Sequence, residues 1–204
     1  MDAFSLLKED HRKVEELFEQ LESARGAAKL RVFEQIKMEL DLHTHIEEKI
    51  FYPALEKPRQ THDLTLEAYE EHDVVKKLLK EMSKAKSATE EWEAQAKVLQ
   101  ENVEHHVEEE ENELFPKAQA ALGEEEIEEL GEELAAEKNR KQKGAAAKKS
   151  AKKSSGASKS ASKRQSASTA QKRTSSKSTK KSGSKKAASG AKSRSRKSTK
   201  KGRR

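Results

Sequence analysis

Apolar residues recur at helical spacing through the first 122 positions, and a few polar residues interrupt them at regular places. Phe4, Leu7, Val14, Phe18 and Leu21 step by three and four, which predicts a helix over residues 2–22 with one core-facing stripe. His11 fills the gap in that stripe. After a break at Ser23 to Gly26, a second stripe runs through Val32, Phe33, Ile36, Leu40, His43, Glu47, Ile50 and Ala54. Pro53 is expected to bend or begin to close this helix, and Pro58, Arg59 and Gln60 to form the turn. A third helix begins near Thr61, His62 and Asp63 and turns Ala68 or Tyr69, His72, Val75, Leu79 and Met82 inward. With Thr89 as N-cap, a fourth reads Trp92, Ala96, Leu99, Val103, His106, Glu110 and Leu114, and Gly123 ends it. Residues 124–139 predict a short acidic fifth helix that packs through Ile127, Leu130 and Leu134.

Two of these helices carry the same motif. Residues 43–53 and 106–116 both read H-x-x-x-E-E-x-x-Φ-[FY]-P at an offset of 63, and His11 to His72 is an offset of 61. The unit is therefore a helix with a core His followed by a helix with HxxxE, used twice. Antiparallel helices with short connections close most simply as an up-down-up-down four-helix bundle. The expected class is all-α: this bundle over residues 1–122, a short acidic helix or linker over 123–140, and a disordered basic tail over 141–204.

A His at i and a Glu at i+4 lie one turn apart on one helix face and can point at one centre. HxxxE alone is common in a chain this rich in Glu. Here six residues, His11, His43, Glu47, His72, His106 and Glu110, all fall on inward stripes. An unpaired ionised carboxylate in a core costs several kcal/mol, so two of them call for a compensating charge, which a metal pair supplies. The alternative is a set of His–Glu hydrogen-bonded pairs in a metal-free bundle. Nitrogen and oxygen donors without sulfur suit Fe, Mn or Zn. Two carboxylates are too few to neutralise two ferric ions, so bridging oxo, hydroxo or water ligands are implied, with positions open to a diatomic molecule. His62 reads as a surface or cap residue, and His45 as exposed or placed behind a ligand. His105 has its own Glu109 at i+4, but the stripe of Leu99, Val103 and Leu114 favours His106.

Charge divides the 204 residues in two. The first 137 hold 17 Lys and Arg against all 37 Asp and Glu, a net of −20, and the rest hold 26 Lys and Arg with no acid. Beyond residue 137 there is no Leu, Ile, Val, Phe, Trp, Tyr or Met, so that segment cannot bury a core. Basic doublets spaced by Ser and Ala give it a likeness to the tails of linker histones and bacterial histone-like proteins. With no aromatic interleaved, its expected partner is DNA or another polyanion, bound through phosphate without sequence preference; folding back on the acidic domain is the alternative. No cysteine is present, and no long apolar run suggests a membrane span or a secretory signal. The expected location is cytoplasmic, with nucleoid association through the tail.

The motifs D-H-R, H-x-x-x-E-E…F-Y-P, E-E-H-D and H-x-x-x-E-E…L-F-P together resemble the hemerythrin-like, HHE cation-binding family over residues 1 to about 120. That resemblance implies two non-haem iron ions bridged by two carboxylates and reacting with O2, NO or peroxide, with the ligands falling on His11, His43, Glu47, His72, His106 and Glu110. Manganese and zinc remain alternatives. Oxygen carriers of the family place a second His one turn after the helix 3 His, where this chain has Lys76, and use Asp where it has Glu110. The departures favour sensing or peroxide and NO chemistry over reversible oxygen carriage, and the leading reading is binding or sensing of O2, NO or redox state. An enzyme removing peroxide or NO, and an architectural DNA binder with a structural metal site, are the other readings.

Overall fold

The computed structural model describes the backbone of residues 1–165 and the side chains of residues 1–144 and 147; expectations for residues 166–204 lie outside the described residues. Within these limits all regular structure is helical. The bundle comprises α1 (Ala3–Ser23), α2 (Ala27–Ile46) with its extension α3 (Tyr52–Leu55), α4 (His62–Met82), and α5 (Glu90–Glu109) with its extension α6 (Phe115–Leu122). The chain falls into two compact units, residues 1–155 and 156–204. Of the second, only the helical backbone of residues 156–165 is described.

Local chemistry sets the helix ends. Asp2 accepts from the Ser5 backbone N–H at 2.9 Å to start α1, and Thr89 accepts from Trp92 N–H at 3.2 Å to start α5. Gly26 and Gly123 take positive φ of 56° and 83° at the breaks, where a side chain would be strained.

The joins within the second and fourth rods are single wide turns, Glu47–Phe51 and Glu110–Leu114. In them Tyr52 N–H bonds to Glu47 O and Phe115 N–H to Glu110 O, an i to i+5 pattern. Pro53 and Pro116 follow immediately. A proline cannot donate into the helix ladder and its ring clashes with the carbonyl four residues back; the wider turn accommodates it without ending the rod.

Each wide turn advances the helical phase by one residue, and this corrects the expected second stripe. Ile50 and Ala54 are only half-buried, whereas Phe51, Tyr52 and Leu55 fill the core.

The core has two apolar ends. One is built on Leu7, Ile46, Phe51, Leu55, Leu114 and Phe115, the other on Phe18, Phe33, Ile36, Leu79, Trp92 and Leu99. On α1 the sequence passes from the first to the second between Leu7 and Val14, and on α4 between Ala68 and Val75. His11 and His72 lie at those crossings. The six polar residues of the stripes thus form one layer across the bundle.

Helix α7 runs from Glu124 to Gln165, past the boundary expected near residue 140. Ala, Lys, Arg and Gln are strong helix formers, so local preference continues the helix where apolar residues cease. Its first turns pack Ile127, Leu130 and Leu134 onto the bundle end that holds Leu7 and Phe115. Gly131 permits the approach, because a Cβ there would stand 2.7 Å from backbone atoms of Asp2 and Ala3. Glu137 then meets Lys49 and His45, each at 2.8 Å, while Lys138 bonds to Asp10. No helix among the described residues is long and apolar enough to cross a membrane.

Candidate metal centre

The structure brings His11, His43, Glu47, His72, His106 and Glu110 together, all of them buried. Two donor groups form, one of His11, His43, Glu47 and Glu110 and the other of Glu47, His72 and His106. Glu47 belongs to both. Its Oε2 lies 3.1 Å from His43 Nε2 and 3.4 Å from His72 Nε2. Glu110 Oε2 spans the other diagonal, 3.5 Å from His11 Nε2 and 3.7 Å from His106 Nε2.

Four outer carboxylates, none assigned from the sequence, stand behind the imidazoles. His11 Nδ1 donates to Glu111 at 2.8 Å, His72 Nδ1 to Glu48 at 3.1 Å and His106 Nδ1 to Glu71 at 2.7 Å. His43 Nδ1 lies 3.8 Å from Asp10. A carboxylate only accepts, so at His11, His72 and His106 it favours the proton on Nδ1, which in the neutral imidazole leaves the Nε2 lone pair facing inward. The signal for these residues was in the sequence: an acid directly precedes His11 and His72, and an acid directly follows Glu47 and Glu110.

The donor set fits a pair of cations. His11 and His43 approach through Nε2 at 3.2 Å, and His72 and His106 do the same at 3.2 Å. Neutral imidazoles protonated on Nδ1 would set two lone pairs against each other at that distance, which repel, whereas donors sharing an ion about 2.1 Å away stand about 3–3.4 Å apart. Both oxygens of Glu47 and Oε2 of Glu110 are buried with no hydrogen-bond partner, which a core tolerates only with compensation.

Among the protein groups alone, the charge is shared unevenly. Burial and the charge of Glu110 push the Glu47 carboxyl well up. Burial also pushes Glu110 up, but His106 and His11 beside it prevail and hold it below the usual carboxylate range. The His43 imidazole is pushed down to about 4, mainly by burial.

Tyr52 is a further member of the layer that sequence periodicity did not supply. Its hydroxyl donates to Glu110 Oε1 at 2.9 Å and lies 3.2 Å from His72 Nε2. Burial and the two carboxylates push the phenol well up, so it keeps its proton. On an uninterrupted helix Tyr52 falls off the His43–Glu47 face, and only the wide turn brings it in.

Lys76 does not reach the centre; it bonds to Glu48. His62 Nδ1 donates to Glu56 O at 2.9 Å on the surface, and His45 pairs with Glu137. His105 is 63% exposed, beside Glu71 and Glu109. A cavity of about 20 Å³ adjoins the four histidines, walled otherwise by Val14, Leu40, Thr44, Val75, Val103 and Val107.

A buried layer of imidazoles and shared carboxylates in a four-helix bundle defines a cation-binding protein. Residues 2–118 match the hemerythrin HHE cation binding domain, and the chain belongs to that family. A hemerythrin HHE cation binding domain-containing protein from Mycobacterium kansasii has a similar crystal structure, with a TM-score of 0.64 and 27% identity, covering 72% of this chain and 91% of that one. A protein of Nostoc sp. (strain PCC 7120) named DNA nickase is 29% identical over 143 residues. That match takes in 70% of this chain but 40% of the relative, so the chain spans less than half of that protein's length.

Proposed function

We propose that the bundle holds two non-haem iron ions, bridged by Glu47 and Glu110, and binds or senses O2, NO or redox state. The observation that carries this reading is the pair of buried carboxylates, each shared between two imidazole pairs and left with unpartnered oxygens. Bound there, iron would supply redox chemistry toward small oxygen and nitrogen species. The chain's own part is positional. Nε2 atoms of His11, His43, His72 and His106 serve as donors, and the outer carboxylates hold them in one tautomer. Valines and Leu40 keep bulk water out of the adjoining cavity, whose volume suits a single water-sized molecule. That size favours a diatomic ligand over a larger substrate. Tyr52, donating to Glu110, holds a proton beside the site and keeps open the alternative of an enzyme that removes peroxide or NO.

The test is metal analysis and an optical spectrum after anaerobic iron loading. Two ions per chain are expected, and Glu47→Ala is expected to lose both together. A stoichiometry near zero, or loss of one ion only, would refute the shared-carboxylate reading. Peroxide turnover by the loaded protein separates enzyme from sensor.

We further propose that the basic segment tethers this centre to DNA or another polyanion, giving nucleoid association. Its 26 Lys and Arg support this, as does the name of the Nostoc relative. Binding through about 8 to 10 phosphates would weaken on the order of a thousandfold between about 50 and 200 mM salt. Anisotropy with duplex DNA, comparing the full chain with residues 1–140, checks this; binding by the truncated chain or a flat salt response would overturn it. DNA binding indifferent to metal would favour the architectural reading.

A further inference from the structure

The four outer carboxylates are not equivalent, and the difference lies on the side away from the centre. Asp10 bonds to Lys138, Glu48 to Lys76, and Glu111 lies 3.6 Å from Lys8. Glu48 and Glu111 each accept from a histidine, Asp10 lies 3.8 Å from His43 Nδ1, and beside each of the three a lysine offsets the charge. Glu71, the fourth, has no Lys or Arg partner among the described residues. In the lysine's place stand His105 and Glu109. His105 Nε2 is 3.7 Å from Glu71 Oε1 and 3.5 Å from Glu109 Oε1, and one donor atom from each of the three lies within 4.8 Å of the others.

This arrangement is unfavourable for the protein alone. Glu71 and Glu109 converge on His105, and among the described residues neither pairs with a Lys or Arg. Glu71 is also not free to swing away, because its Oε2 accepts the His106 Nδ1 proton at 2.7 Å. Its Oε1 is thereby held toward His105. Donors on one cation, at roughly 2.0–2.2 Å from it, stand about 3–3.6 Å apart; the two His105 separations are 3.7 and 3.5 Å, and the carboxylate oxygens lie within 4.8 Å of each other.

We propose that Glu71, His105 and Glu109 form a third, solvent-facing site for a divalent first-row cation. One imidazole and two carboxylates, completed by water, suit Zn²⁺, Mn²⁺ or Fe²⁺. The ion takes at Glu71 the part that Lys8, Lys76 and Lys138 take at the other three carboxylates. The HxxxE pair His105–Glu109 is thus a second motif one residue out of register with His106–Glu110, facing outward. The inference does not require the buried centre to hold iron.

The test uses the full-length protein with its buried centre loaded, titrated with Zn²⁺ while the ¹⁵N resonances of the histidine rings are followed. Saturable movement of the His105 Nε2 resonance is expected, and affinity at this step should fall at least tenfold in Glu109→Gln. In His105→Gln, competition with a zinc-sensitive dye gives the same reading. A His105→Lys variant, which supplies the charge covalently, should make Glu71 indifferent to Zn²⁺. Both positions are on the surface, so each variant should retain the fold and its buried-ion stoichiometry. An unmoved His105 resonance, or wild-type affinity in either Gln variant, would overturn the site. Neither result would touch the reading of the buried centre, which rests on its own two-ion stoichiometry.

Discussion

Replacing Glu47 by methionine should stabilise the metal-free protein and destabilise the metal-loaded one. Glu47 is fully buried, and neither oxygen has a partner. An unsatisfied buried polar group costs about 1–3 kcal/mol, and exchanging buried charged groups for packed apolar ones is often stabilising by about 1–4 kcal/mol. Methionine keeps the length of the side chain and its flexibility lets it fit the site, so the cavity term stays small. In chelator, Glu47→Met should therefore gain about 1–4 kcal/mol. With a urea slope of about 2 kcal/mol per molar, its unfolding midpoint rises by about 0.5–2 M. In metal the order inverts. At a free concentration one hundredfold above Kd, each ion adds about 2.7 kcal/mol to the native state, and a chain without the shared carboxylate forgoes that for both.

The assay is paired urea titrations of wild type and variant, followed by helical circular dichroism in chelator and in excess Fe²⁺ under anaerobic conditions. Crossing of the two orders is the expected result. A variant less stable than wild type in chelator would mean that protein contacts satisfy Glu47, and the argument from orphaned oxygens would fall. A variant that still gained stability from metal would show that Glu47 is not shared.

Tyr52→Phe should destabilise the metal-free fold by about 1.5–3 kcal/mol, because it strips the one donor from Glu110 Oε1, an acceptor held in its charged form; a change below about 0.5 kcal/mol by urea titration would place the hydroxyl's proton elsewhere. Acid should also weaken the metal-free protein. His43 is buried and neutral with its imidazole pushed down to about 4, so between its ordinary value and 4 the unfolded chain binds the extra proton. This contribution is fully present above pH about 6.5 and is lost as pH falls to about 4, amounting to roughly 3 kcal/mol. Glu47, pushed up, acts oppositely, its contribution being present below its ordinary value and lost as pH rises through its raised one. Urea midpoints of His43→Gln should be flatter than wild type between pH 6.5 and 4, and an unchanged slope would refute the assignment.

The parts of the fold that a period of 3.6 can express were legible in the sequence. Four stripes, the caps at Thr89 and Gly123, and the packing residues Ile127, Leu130 and Leu134 all lie where spacing put them. So do the six inward polar residues, because each replaces an apolar residue at a position the period fixes. What failed was continuity of phase. A single wide turn at Glu47–Phe51 exchanged Ile50 and Ala54 for Phe51 and Leu55, and with them brought Tyr52 to Glu110. Proline announces such an event without saying whether the helix ends, kinks or widens. The outer carboxylates were hidden for a different reason. They adjoin the inward residues in sequence, but in a chain dense with Glu that adjacency is a weak signal until a tertiary contact to an imidazole singles out Glu48 or Glu71.

The repeat also shows where the surroundings of the two shared glutamates differ. Tyr52 in the first half corresponds to Phe115 in the second, each following a wide turn and preceding a proline. Tyr52 lies against His72 with ring centroids 5.3 Å apart, and Phe115 against His11 at 6.2 Å, so the rings occupy equivalent places. The hydroxyl does not recur. Glu110 consequently has a donor on one oxygen and Glu47 has none, which is the pattern of orphaned atoms observed. A hydrogen bond to the charged form favours it and acts in the same direction as His106 and His11, which hold Glu110 below the usual carboxylate range, whereas Glu47 is pushed toward its neutral form. Outside the layer the halves diverge again, with Lys138 of α7 behind Asp10 and His105 with Glu109 beside Glu71. The two halves of the donor set are therefore backed unequally: behind His43 stands Asp10 with Lys138 of α7, and behind His106 stands Glu71 with His105 and Glu109 at the surface.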